Sequence, residues 1–140
     1  MDSSDSPINN FVSYALAAAH RRISNSLSAR LRKHGIQIEA WRLLETLGSG
    51  RHLTMGELAE IVLMNPPTLT KLVDRMVSDG LVHRQVSQSD HRKVNVLPTA
   101  LGRKRMMQIR REIEDEDAAI LSQLGQDDSA ELIRILRGIA

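Results

Sequence analysis

Asn65-Pro66-Pro67-Thr68-Leu69-Thr70-Lys71-Leu72-Val73-Asp74-Arg75-Met76-Val77-Ser78-Asp79-Gly80 is the stretch whose reading decides the fold. Leu69, Leu72, Val73, Met76 and Val77 recur with the 3.6-residue period of a helix, which turns Thr68, Thr70, Lys71 and Arg75 outward. Asn65 is a favourable N-cap, and Pro66 costs nothing at the first helical position because that N–H has no partner in any helix. Gly80 stops the helix, since it takes the left-handed cap without a Cβ penalty. Beyond it, residues 81–86 and 93–97 are β-branched enough to form paired strands around the polar, turn-rich segment 87–92. A helix with a cationic outer face, followed by a hairpin with an arginine at its tip, is a shape suited to reading DNA.

Working outward, Thr54-Met55-Gly56-Glu57 is a capping box. It opens a short helix reaching about residue 63, with Leu58, Ala59, Ile61 and Val62 inward. Two short helices meeting at Met64-Asn65 make a helix-turn-helix, in which the helix from Pro66 is the recognition helix. Another helix spans residues 38–47 and is closed by Gly48-Ser49-Gly50. Residues 8–33 read as one long helix, striped by Ile8, Phe11, Val12, Ala15, Leu16, Ala19, Ile23, Leu27 and Leu31. That stripe exceeds what a small domain covers alone, so the helix is expected to pack on a second copy of itself or on the partner's C-terminal helices. After Pro98, Thr99 restarts helix up to Gly125. Asp128-Ser129-Ala130-Glu131 is expected to cap a last helix to about residue 139. The acidic run 112–117 reads as a solvated face.

At 140 residues the chain is one domain, 1–140, by length. Its composition, 41% hydrophobic and 26% charged, is that of ordinary globular proteins. No apolar run approaches the roughly 20 residues of a membrane span, and residues 1–7 lack the basic and apolar regions of a signal peptide. The expected location is the cytoplasm, with no membrane partner. The absence of cysteine removes disulfides, thiolate metal sites and thiol nucleophiles together. The histidines, at 20, 34, 52, 83 and 91, lack metal-ligand spacing. No Gly-rich phosphate loop, nucleophile elbow or acid–base constellation is present, so neither an enzyme nor a bound cofactor is expected. Charge is unevenly distributed. Residues 66–105 hold eight Lys or Arg against three Asp, whereas the remainder holds eleven against fourteen Asp or Glu. A basic block in an otherwise acidic chain is the footprint of a polyanion surface.

Trp41-Arg42-Leu43-Leu44, Leu53-Thr54…Glu57-Leu58-Ala59, Thr68…Leu72-Val73…Met76…Asp79-Gly80-Leu81-Val82…Arg84 and Asp90-His91-Arg92…Val94-Asn95-Val96…Thr99…Gly102 together resemble the MarR family of winged helix-turn-helix transcriptional regulators. The resemblance covers about residues 8–139 in element order and is most specific at Asp79-Gly80-Leu81-Val82 and at the Asp-x-Arg of the wing. It implies a mainly α fold with a small β-hairpin wing. A DNA-binding lobe of about 38–98 would be flanked by dimerisation helices at 8–35 and 99–139. It further implies a homodimer that binds operator DNA as a regulator, a repressor more than an activator, and is released by a small anionic or aromatic effector. The chain departs from the family pattern at Pro98, where leucine is usual, and the last ladder bond of the second wing strand is expected to be lost there.

In such a dimer two recognition helices roughly 34 Å apart would enter successive major grooves of a pseudo-palindromic double-stranded DNA site. Thr68, Thr70, Lys71 and Arg75 are the candidates for groove and phosphate contact, Arg75 being alternatively a surface ion-pair partner. Arg92 is the candidate for minor-groove insertion, held by a charge-assisted bond from Asp90. Arg84 and Lys93 are candidates for phosphate contact along the wing, and Arg84 could equally pair with an acid of its own lobe. For the effector, family members use a cleft between the dimer helices and the DNA-binding lobe. The candidates here are His20 and Arg21 on the first helix and Trp41 on the second, with Trp41 also readable as plain core. The rival from another class is a winged-helix protein–protein module that never meets DNA.

Overall fold

The structure, a computed structural model, describes residues 6–85 and 93–140, with only the backbone described at Lys93 and Val94. Residues 7–10 form one 3-10 turn, Phe11 is extended (φ −93°, ψ 127°), and α1 runs Val12–Arg32. The single long helix expected from residue 8 is thus broken at Phe11. Asn9 and Asn10, whose short amides compete with helical backbone bonding, precede the break. α2 (Ile38–Gly48) matches the sequence reading. α3 (Met55–Val62) begins on the Thr54–Glu57 capping box, with both reciprocal bonds formed at 3.1 and 3.0 Å. Leu58, Ala59 and Val62 are buried as expected, but Ile61 is turned outward.

α4 (Pro66–Ser78) follows after a turn in which Leu63 takes the left-handed conformation at φ 63°. Leu69, Leu72, Val73 and Met76 are its buried face. They meet Ala40, Leu43, Leu44 and Leu47 of α2 and Leu58, Ala59 and Val62 of α3 in one core.

Four short strands make the wing base. β2 (Val82–Arg84) pairs antiparallel with β4 (Val96–Pro98), and β3 (Lys93–Val94) pairs with β1 (Leu53–Thr54). The strand expected over 93–97 is therefore split at Asn95 between two partners. β1 escaped the sequence reading because two residues carry no alternation to detect. Pro98 lies opposite Val82, and the ladder does not end there, for Thr99 N donates to Leu81 O at 3.0 Å. The expected expiry of the ladder at Pro98 is corrected by one residue's displacement of the donor.

α5 (Ala100–Leu121) is capped by Thr99, whose hydroxyl accepts from Gly102 N at 3.0 Å. α6 (Gln126–Ile139) starts on Gly125, so Asp127 and Asp128 sit in its first turn, where the helix dipole favours carboxylates, and Asp128 is not the cap. A second core joins Leu31 of α1, Ile38 of α2, and Ile109 and Ile113 of α5. Beside it the acidic run divides by helical phase. Glu116 is 6% exposed and accepts from Arg30 Nε at 2.7 Å and Ser26 Oγ at 3.0 Å. Glu112, one turn earlier, faces Arg30 at 3.6 Å and His34 at 3.3 Å. Glu114, Asp115 and Asp117 alone answer to the solvated face read from the sequence. Ile8, Phe11, Val12 and Leu16, and Ile133, Ile135, Leu136 and Ile139, remain exposed at the two ends of the chain.

Candidate nucleic-acid interface

The interface is built from α4 outward. Asn65 Oδ1 accepts from Thr68 N at 3.0 Å and fixes the first turn. Burial of Leu69, Leu72, Val73 and Met76 sets the helical phase, so Thr68, Thr70, Lys71 and Arg75 are all exposed on the opposite side. Thr70 Oγ1 donates to Pro66 O at 3.1 Å, which leaves its lone pairs outward as acceptors. Arg75 donates to Gln37 Oε1 at 3.1 Å, tying α4 to the start of α2. Lys71 has no side-chain partner among the described residues.

The wing supplies Arg84, which pairs with Asp74 of α4. This is the second of the two readings the sequence left open for Arg84. The pair neutralises the one carboxylate on the outer face of α4, with side chains that remain 50% and 59% exposed. Lys93 takes its place in β3 by backbone pairing with Thr54. Asp90 and Arg92 lie outside the described residues.

A cleft of about 960 Å³ opens between α1, the start of α2, and the α3–α4 turn. Arg32, Lys71, Arg75, Glu39, Leu63 and Leu72 are among its walls, so three cations outnumber one carboxylate and share the cleft with apolar side chains. That composition suits a small anion with an apolar body. Of the three residues singled out for an effector, none stands among these walls. His20 lies beside Ser24 on the exposed side of α1, with its ring nitrogens 3.4 and 3.5 Å from Ser24 Oγ. Arg21 lines a shallow groove with Tyr14 and Asn25 on the same helix. Trp41 packs against the second core and donates Nε1–H to Glu45 at 3.3 Å. Arg32 was missed. It is one of several cations near the end of α1, and which of them lines the cleft depends on tertiary placement, not on the period of α1.

Polar side chains also hold α5 against the helices beneath it. Arg110 donates to both carboxylate oxygens of Glu45 at 2.8 and 2.7 Å, linking α5 to α2. Those bonds hold the Glu45 carboxyl below its ordinary range against the opposing effect of burial, with Trp41 assisting. The His34 hydrogen bond, with the nearby charges of Lys33 and Arg30, likewise lowers Glu112. Arg105 completes the contact by donating to His34 O at 3.1 Å.

Residues 34–93 match the family model described as MarR family. The HTH-type transcriptional repressor IacR of Pseudomonas putida is 31% identical over 106 residues, 74% of this chain. The match spans 64% of that protein's own length. A MarR family transcriptional regulator from Silicibacter pomeroyi superposes with a TM-score of 0.82 at 30% identity, over 99% of this chain and 95% of that one. The Mycobacterium tuberculosis MarR family protein Rv2887, solved in complex with salicylic acid, shares the fold with a TM-score of 0.74 at 23% identity, over 99% and 100% of the two chains.

Proposed function

This chain belongs to the MarR family of transcriptional regulators, and from that premise we propose that it acts as a homodimeric repressor, holding duplex DNA with one lobe per subunit and releasing it when a small anionic or aromatic effector fills the cleft behind α4. The observation that carries this reading is the sharing of side chains. Thr68, Lys71 and Arg75 stand on the outer face of the recognition helix and also wall the cleft. A carboxylate in the cleft would draw Lys71 and Arg75 toward Arg32 and away from phosphate. Occupancy of one site would then lower the affinity of the other, and by linkage DNA would lower the affinity for effector by the same factor.

The salicylic acid bound to the Mycobacterium tuberculosis protein supports the class of effector, and the apolar walls at Leu63 and Leu72 suit its ring. The exposed apolar residues at both chain ends support dimerisation through α1 and α6, which would bury them. Asp90 and Arg92, outside the described residues, are proposed as further DNA contacts on the sequence reading alone.

The test is DNA affinity as a function of salt, measured on promoter DNA from the chain's own locus. Affinity should fall steeply with log salt concentration, and Lys71→Ala should reduce that slope by about 1, the signature of one lost phosphate contact. Salicylate should release the DNA from the wild type but not from Arg32→Gln, which keeps the DNA-facing cations. Binding that is insensitive to salt would overturn the DNA reading. Equal release of both proteins would overturn the cleft as the effector site.

A further inference from the structure

A second cleft, of about 760 Å³, lies where the wing base meets the amino-terminal half of α5. Arg103, Lys104 and Arg111 come from one face of α5, and His83 comes from β2 across from them. All four side chains are exposed, and none has a hydrogen-bond or ion-pair partner among the described residues. Arg30, Arg84, Arg110 and Arg134, by contrast, are each paired with a carboxylate. Among the described residues its lining holds no carboxylate, while Pro98 and the 63%-exposed Met107 give it an apolar side.

The position of the cleft separates it from the DNA-reading face. Successive strand residues point to opposite sides of a sheet. Val82 is buried and Arg84 reaches Asp74 of α4, so that side of β2 faces the recognition helix. His83 points to the other side, and the cationic cleft is behind the wing base relative to α4. Nor does its chemistry match the exposed apolar residues near the two chain ends, for its rim is positively charged and a second copy would bring like charges together.

We propose that this cleft binds a small molecule bearing two or more phosphoryl charges on an apolar or aromatic body. Guanidinium forks match phosphoryl oxygens two at a time, and Lys104 adds a point charge. Met107 and Pro98 would take the body of the ligand. Contacting β2, β4 and α5 together, such a ligand would stiffen the joint between wing base and α5. This inference does not rest on the effector reading above, which concerns the cleft on the other side of the lobe.

Isothermal titration of the full chain at low ionic strength, with inorganic pyrophosphate and with ADP as probes, tests it. ADP and pyrophosphate should both bind saturably, ADP more tightly through its base, and benzoate should not compete with either. The triple variant Arg103→Gln, Lys104→Gln, Arg111→Gln should weaken ADP at least tenfold while circular dichroism stays that of the wild type, since glutamine is nearly as good a helix former as Lys or Arg. Arg32→Gln should leave ADP binding unchanged, so failure of the effector reading and failure of this one are distinguishable. Undetectable ADP binding, or equal binding by wild type and triple variant, overturns the proposal. So does a triple variant that binds ADP as poorly as expected but has also lost promoter DNA affinity and salt slope without any nucleotide, because the surface would then be a track for DNA phosphates.

Discussion

Replacing Gly102 by alanine tests how α5 is seated on the wing base. A Cβ built at Gly102 would stand 2.0 Å from Leu81 O and 3.0 Å from Leu81 C. The obstacle is backbone, so no side-chain rotation relieves it, and an ordinary carbon–oxygen contact near 3.3 Å requires α5 to retreat by more than about 1 Å. The same carbonyl accepts from Thr99 N at 3.0 Å, and Thr99 Oγ1 donates to Gly80 O at 2.5 Å, so retreat strains both bonds. Overpacking costs about 1–3 kcal/mol, and a weakened hydrogen bond about 1 kcal/mol more. Alanine returns at most about 1 kcal/mol of helix propensity. The expected net loss is about 2 kcal/mol, a fall in thermal midpoint of roughly 4–8 °C for a chain of this length. Gly138→Ala is the control, for no atom of the same subunit lies within 4 Å of the added carbon there. Urea and thermal unfolding at one fixed protein concentration would read both, because association makes midpoints concentration-dependent. If Gly102→Ala were as stable as Gly138→Ala, the close seating of α5 on Leu81 would be wrong.

Other outcomes follow from the same framework. Arg30→Ala should cost about 3 kcal/mol, because it leaves buried Glu116 with Ser26 as its remaining donor, whereas Glu116→Gln should cost only about 1 kcal/mol, since Arg30 is 33% exposed and keeps Glu112; equal losses in urea would contradict the asymmetry. Because the folded-state pKa of Glu45 is depressed below its ordinary 4.5, its stabilising contribution is complete above that value and disappears as pH falls through the lower folded value. The stability gap between wild type and Glu45→Gln should therefore be constant near neutrality and close in acid, and a gap that widened on acidification would reverse the sign. Leu63→Asn should raise the unfolding free energy by about 0.5–1 kcal/mol, since leucine in a left-handed conformation carries a Cβ clash that asparagine tolerates, and its side chain is 72% exposed; a loss would mean that Leu63 packs against a partner in the proposed dimer.

The elements around Asn65 could be read from the chain because each signal there is local. A cap, a proline, a helical period and a terminating glycine act within one turn of the residues that carry them, and α4 forms where they place it. The capping box of α3 is legible for the same reason. The failures are non-local. Pairing of β3 with β1 joins residues some forty positions apart through two residues each, too few to show alternation. Ile61 satisfied the apolar pattern of α3 yet faces outward, since an eight-residue helix has several acceptable phases and its neighbours decide among them.

Charge shows the limit most sharply. Composition places eight cations between residues 66 and 105, and their sequence gives no sign that they divide into differently employed sets. Arg84 is spent on Asp74, and Arg105 on the carbonyl of His34. Lys71 and Arg75 share the cleft behind α4 with Arg32, whereas Arg103 and Lys104 join Arg111 and His83 on the far side of the wing base. Helical phase told which of these point away from their own core, but not which neighbour they meet, because that is set by how α1, α4, α5 and the wing are placed around the core. A basic block therefore reads correctly as a polyanion footprint only in part. Unpaired cations without a carboxylate beside them are the ones free to bind an anion, and that distinction exists only in the folded chain.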